Sequence, residues 1–151
     1  MIRRFASLCL AVTAAACGAN GPLPAPSENG FERAIFPLLE AAGCAGECHT
    51  LENRVVRHWA LTTPAGTYGQ WVNVPGFNHC GPNGEEIVAP HPDQIRVVPG
   101  DPDNSLVIKK LTASWEMCGA FYGHMPPSPA PRLPADQIDR IRAWIAAGAV
   151  P

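Results

Sequence analysis

The stretch Cys44-Ala45-Gly46-Glu47-Cys48-His49 places two thiols and an imidazole close together, directly after a short amphipathic segment. Three residues separate the cysteines, and His49 follows the second one. Gly46 lies inside this loop, and we expect it to adopt a positive φ angle because it has no Cβ atom to clash. Two interpretations stay open at this point. Either the stretch holds a cofactor, or Cys44 and Cys48 form a small disulfide and His49 is an ordinary surface residue.

The cofactor interpretation comes from the spacing of the cysteines. A C-x-x-C-H run is the attachment signature of c-type haem, because two thiols can add across the vinyl groups on one edge of the porphyrin while the His reaches the iron. Here the run is C-x-x-x-C-H, so the additional residue must bulge if the sulfur atoms are to keep the vinyl separation. We therefore predict Cys44 and Cys48 as haem tethers and His49 as the proximal axial ligand.

Four further segments follow one another around this motif. They are Phe36-Pro37-Leu38-Leu39, Val98-Pro99-Gly100-Asp101-Pro102 with Ser105-Leu106, Met125-Pro126-Pro127, and Trp144-Ile145 with Gly148-Ala149. With them the chain resembles, from about Phe31 to Ala149, the small cytochrome c-like haem-binding domains of exported bacterial proteins. The resemblance implies an all-α fold in which short helices and long Pro- and Gly-rich loops surround one haem. It also implies that Met125 is the second axial ligand of the iron.

Other residues compete with Met125 for that position. His124 is adjacent to it, and His79 and Met117 lie in other predicted loops; an open coordination site is a further alternative. A thioether ligand stabilises ferrous iron and raises the reduction potential, which suits an electron carrier. With both iron faces filled, substrate cannot reach the metal, so we expect electron transfer to a redox partner docked over the exposed haem edge, and no enzymatic activity.

The first residues are typical of an export signal. Arg3 and Arg4 precede an apolar run too short to span a bilayer, which predicts a signal peptide over residues 1–16. The end of that run, Ala14-Ala15-Ala16-Cys17, resembles a lipoprotein lipobox with Ala14 in place of the usual Leu, and predicts lipidation of Cys17. The alternative is plain cleavage after small residues.

The domain organisation follows from this signal. Residues 17–30 are predicted to be a lipid-anchored, Pro-rich tether, and residues 31–151 a single cytochrome c-like domain. We therefore expect an exported protein of the periplasm or cell envelope, anchored to the membrane by lipid.

Two cysteines outside the motif, Cys80 and Cys118, suit a disulfide in an oxidising compartment, where it would tie the long middle of the chain together. The alternative is two independent buried thiols. The formal net charge of −2 becomes −4 once Arg3 and Arg4 are removed with the signal. No basic stripe is present to neutralise phosphates, so we exclude nucleic acid as a partner.

Hydrophobic periodicity predicts four helices. The segments are residues 29–42, interrupted by Pro37; a short helix capped by Thr63-Pro64; a helix through Leu106 and Leu111 capped by Asp101-Pro102; and residues 135–147. Phe77 to Gly84 is predicted to be turn structure, Val97-Val98 a brief extended segment, and residues 112–134 a long loop.

Two other functional classes stay open. A copper protein could use the C-x-x-x-C pair with a nearby His and Met, since these ligands suit Cu(I). A haem-free structural or interaction lipoprotein would contain a Cys44–Cys48 disulfide instead.

Overall fold

The computed structural model describes residues 28–52, 60–80, 83–113, 115–117, 120–122, 124–127 and 130–151, without the side chains of 78–80, 86–88, 91–93, 115–117 and 120–122. In chain order, its regular elements are α1 (Phe36–Ala41), α2 (Pro64–Trp71), β1 (Pro75–Cys80), β2 (Glu86–Ile95), α3 (Leu106–Thr112), β3 (Trp115–Met117), β4 (Ala120–Tyr122) and α4 (Ala135–Ala146). Wide turns with i→i+5 hydrogen bonding occupy Phe31–Ile35 and Cys44–Cys48.

The first helix is divided at Pro37, as the sequence predicts. A wide turn over Phe31–Ile35 leads directly into α1, where Pro37 lies in the first turn and needs no amide hydrogen for the ladder. Gly43 follows the helix with a φ of +68°, a left-handed conformation that stops it. The residue before the first turn is Gly30, with no side-chain cap.

The second helix begins where the Thr63-Pro64 pair predicts. The Oγ1 atom of Thr63 accepts a hydrogen bond of 3.1 Å from the amide of Gly66, and Pro64 opens α2. This cap satisfies one of the free amides at the helix start.

The prediction of an all-α fold is wrong, because the described residues contain two antiparallel two-stranded sheets, β1–β2 and β3–β4. Strand β1 occupies the first half of the stretch that was predicted as turn structure, and its pairing with β2 shifts register twice. Gly76 lies in strand β1, where neighbouring segments leave no room for a side chain. A Cβ atom at this position would lie 2.7 Å from Leu106 Cδ2 and 3.0 Å from the Gln94 carbonyl oxygen. Close approach of neighbouring chain segments, not turn formation, explains this glycine.

The second sheet, β3–β4, lies inside the segment that was predicted as an unbroken loop over residues 112–134. The three-residue strands pair in register from Trp115 opposite Tyr122 to Met117 opposite Ala120. Pairs this short leave little periodicity to detect in a sequence.

The third helix starts later than the Asp101-Pro102 pair predicts. The carboxylate of Asp101 accepts hydrogen bonds from the amide and side-chain nitrogen of Asn104, and so caps a turn before the helix. The buried Ser105 then precedes α3. Its hydroxyl accepts from the Val98 amide at 2.9 Å and donates to the Asp101 carbonyl at 2.8 Å.

The last helix packs against the first turn of the domain. The ring centroids of Phe31 and Trp144 are 5.2 Å apart, and the Phe31 amide donates to the Val150 carbonyl at 3.1 Å. Trp144 Nε1 also donates to the Val150 carbonyl, at 2.7 Å. Phe31 thereby links the two ends of the domain through its ring and its backbone.

Phe31 is also the centre of an aromatic group in the core. Its ring lies within 6.1 Å of the rings of Phe36, Tyr68, Trp71 and Trp144. We call the buried apolar residues joined to this group the core cluster. Its members are Phe31, Ile35, Phe36, Leu39, Ala45, Leu61, Trp71, Val97, Val107, Ile108, Leu111, Leu133, Ile141, Trp144, Ile145 and Ala149.

Candidate functional site

The cysteine motif forms a wide turn that accommodates its additional residue. The amide of Cys48 donates to the Gly43 carbonyl at 3.2 Å, and the amide of His49 donates to the Cys44 carbonyl at 3.0 Å. Both bonds span five residues instead of the four of an α-helix. Gly46 has a φ of +84°, which confirms the expected positive angle. The additional residue is thus accommodated by a turn whose backbone is non-helical at Ala45 and Gly46.

The two cysteines of this turn are present as thiols, not as a disulfide. Cys44 packs against the core cluster, and both side chains are half-buried. Burial, and to a lesser degree the neighbouring Cys48, raises the pKa of the Cys44 thiol from 9.0 to about 11. Because disulfide exchange requires the thiolate, Cys44 is a poor nucleophile for oxidation near neutral pH.

His49 is buried, with 9 % of its surface exposed, so the alternative of an ordinary surface histidine does not hold. Its backbone is fixed on both sides. The amide bonds to Cys44 as described, and the carbonyl accepts a hydrogen bond of 2.7 Å from the Leu61 amide. Leu61 belongs to the core cluster, so this bond ties the end of the motif to the domain interior.

Met125 lies between two buried residues, His124 at 7 % exposed and Pro126. The Met125 side chain is itself half-buried and packs against the core cluster. Its amide donates a hydrogen bond of 2.8 Å to the carbonyl of Lys110, in the last turn of α3. The peptide bond between Met125 and Pro126 is cis. The backbone of Met125 is therefore bonded to helix α3, and both of its neighbours in sequence are buried.

The motif and the methionine are brought to the same apolar interior. Cys44 and Met125 belong to one set of partly buried residues that pack against the core cluster, the others being Ala34, Leu38, Ala42, Tyr68, Val72 and Ile138. Ala45, inside the motif, is a member of the cluster itself. Thiols, an imidazole and a thioether are donor types found in haem proteins.

Several predicted residues lie outside what the structure describes. Residues 1–27 are among them, and with them the signal peptide, Cys17 and most of the tether; so is Cys118. His79 and Cys80 are located in β1 and Met117 in β3, but only their backbones are described. The predicted Cys80–Cys118 disulfide and the roles of His79 and Met117 therefore stay predictions.

Sequence reasoning missed Lys110. Its carbonyl holds Met125, and burial lowers the pKa of its amine from the ordinary value of 10.5. Lys109, the preceding residue on the same helix, is exposed. Both lysines lie between the buried residues Ile108 and Leu111, so nothing in the local sequence singles out Lys110.

Among the residues that the structure describes, no three His, Cys, Asp or Glu side chains are grouped so that they could hold a metal ion by themselves. Of the helices described, none has the length and apolar content needed to cross a bilayer. Comparison of the chain with protein-family models, with curated proteins and with solved structures finds no match.

Proposed function

We propose that this protein is a c-type haem protein that carries electrons at the cell envelope. One haem is bound through thioether links to Cys44 and Cys48. His49 is the axial ligand on one face of the iron, and Met125 is the ligand on the other. The all-α architecture is not part of this proposal, since two small sheets accompany the helices.

The observation that carries the proposal is the conformation of the C-x-x-x-C-H segment. The hydrogen bond from the His49 amide to the Cys44 carbonyl closes the segment around its additional residue, with Gly46 in a left-handed conformation. His49 is buried at the end of this closed turn. A thiol pair meant only to form a disulfide needs neither a buried histidine nor a fixed backbone after the second cysteine.

Each residue has a distinct task. The two thiols hold the cofactor in place even when the fold opens, because thioether bonds are covalent. His49 supplies a nitrogen ligand, and Met125 supplies a soft sulfur that favours ferrous iron. When bound, the haem supplies a one-electron couple, while the residues of the core cluster keep water from its surroundings.

Filled axial positions favour electron transfer over catalysis. Oxygen and peroxide chemistry need an open coordination site, whereas an electron can pass through the porphyrin edge without one. The proposed partner is therefore a redox protein that docks over the exposed haem edge. The mature chain is acidic, with a formal charge of −4 after loss of residues 1–16, which favours a basic docking face on the partner.

Localisation at the envelope rests on the first thirty residues. The proposal takes residues 1–16 as a cleaved signal peptide, Cys17 as the lipidated residue and residues 17–30 as the tether. Proline-rich tethers are extended, so this one would hold the haem domain off the membrane surface.

Replacement of the tethering thiols tests the proposal directly. We expect the purified parent protein to keep an intense Soret band after denaturation, and Cys44→Ser or Cys48→Ser to reduce or abolish the band under the same conditions. Cys80→Ser is the matched control and should keep it. Covalent haem that persists unchanged in the double variant C44S/C48S would contradict the assignment. Bound copper without porphyrin would favour the copper protein, and a colourless, metal-free protein would favour a structural lipoprotein.

A further inference from the structure

The end of helix α3 holds the segment that contains Met125. The last four carbonyl groups of an α-helix have no partner within it. In α3, Lys109 O is bonded by the Ala113 amide, and Lys110 O is bonded by the Met125 amide at 2.8 Å. A carbonyl at the end of the helix thus fixes the backbone of Met125, the proposed second axial ligand.

Two consecutive lysines of this helix occupy different environments. Lys110 is half-buried and is bonded through its carbonyl to Met125. Lys109 is exposed. The pKa of Asp101 is lowered chiefly by hydrogen bonds from Asn104 and, least, by the charge of Lys109, which places Lys109 towards that turn.

The geometry points to Lys110 as the residue that positions Met125 and raises the reduction potential of the iron. This inference rests on the proposed function. The carbonyl of Lys110 anchors the backbone of the ligand, and the half-buried side chain of the same residue carries a positive charge. Lys110 is a positioning residue, since it contacts the ligand and not the reacting metal.

The sign of the effect follows from electrostatics. Oxidation adds one positive charge to the iron, so a cation nearby disfavours the oxidised state and raises the potential. Water and salt screen a half-buried charge less than an exposed one. Lys110 should therefore influence the iron more strongly than Lys109 does, although the two residues are adjacent in sequence.

The test compares the reduction potentials of the holoprotein and three variants. We expect Lys110→Gln to lower the potential clearly, Lys109→Gln to shift it much less, and Lys110→Arg, which restores the charge, to return it close to the parent value. Carbon monoxide binding to the reduced protein reports the anchoring of Met125, and it should stay weak in all three variants because each keeps the backbone carbonyl that holds Met125.

The possible results distinguish a failure of this inference from a failure of the haem assignment. Equal potential shifts in K110Q and K109Q, or no shift in K110Q, would overturn the inference while leaving the haem assignment intact. A parent protein without covalent haem would overturn both. If K110Q is too unstable to purify, K110R alone decides: a potential far from the parent value would contradict a role of the charge.

Discussion

The amide of His49 donates a hydrogen bond to the carbonyl of Cys44 at 3.0 Å, across five residues. This bond joins the last residue of the motif to its first. It closes the motif although the cysteines are one residue further apart than in a C-x-x-C-H run. Within the motif, Gly46 is the residue with a left-handed backbone, at a φ of +84°.

Replacement of Gly46 by Ala should destabilise the motif turn. A Cβ atom there meets nothing within 4 Å, so the effect is purely one of backbone conformation. A left-handed conformation costs an L-residue roughly 1–2 kcal/mol, and we expect the free energy of unfolding to fall by about that amount. Denaturant unfolding of the purified protein measures it.

Gly69→Ala is the matched control for that variant. Gly69 lies in α2 and is exposed, and a Cβ atom added at this position would also meet nothing within 4 Å. Alanine is the better helix former, so this change should leave stability equal or raise it by about 0.5–1 kcal/mol. Equal destabilisation by both substitutions would show that the conformation of Gly46 has no special cost.

Met125→Ala should open one face of the iron. Loss of the thioether removes a ligand that favours ferrous iron, so the reduction potential should fall and carbon monoxide should bind more tightly to the reduced protein. Redox titration and carbon monoxide titration measure the two effects. His124→Asn changes the buried neighbour and should leave both close to the parent values; the reverse result would make His124 the ligand.

The features that sequence predicted well are those fixed by local chemistry. Pro37 cannot continue the hydrogen-bond ladder of a helix, Thr63-Pro64 supplies its own cap, and Gly46 and Gly43 occupy positive φ angles. Each depends on the residue and its near neighbours. The last helix was predicted at residues 135–147 and is found at Ala135–Ala146. Its hydrophobic periodicity is likewise a local property of the sequence.

The features that sequence missed depend on distant contacts. Gly76 lies in a strand because Leu106 and Gln94 approach it closely, and nothing near Gly76 in the chain indicates this. Lys110 was missed likewise, since its contact with Met125 joins residues far apart in sequence. In the site itself, the motif alone did not decide whether His49 is buried, because the same six residues also fit a disulfide with an exposed histidine.

Phe31→Ala should destabilise the whole domain. Phe31 is 1 % exposed and contacts four aromatic rings, including Trp144 of the last helix. Removal of a buried phenylalanine ring costs about 3–5 kcal/mol. Thermal and denaturant unfolding measure the loss. Leu51→Ala, at a side chain that is 56 % exposed, should change stability by no more than about 0.5 kcal/mol.

The turn before α3 should make stability depend on pH through Asp101. Hydrogen bonds from Asn104 are the main cause that lowers the pKa of this carboxyl below 3.8. Its contribution is therefore present above the ordinary pKa and is lost as the pH falls through the lowered value.

Asp101→Asn should remove this dependence. We expect the variant to be less stable than the parent near neutral pH, with the difference shrinking as acid protonates Asp101 in the parent. Asp139→Asn, on the exposed side of α4, is the control. A stability difference between D101N and parent that is constant from neutral to acidic pH would contradict the role of the carboxylate.

The most direct test of the central claim is the intact mass of the mature protein under denaturing conditions. Covalent attachment predicts the mass of the polypeptide plus one haem, carried on the peptide that contains Cys44 and Cys48. A colourless protein whose Cys44–Cys48 peptide lacks the haem and has instead lost two hydrogens to a disulfide would contradict the account.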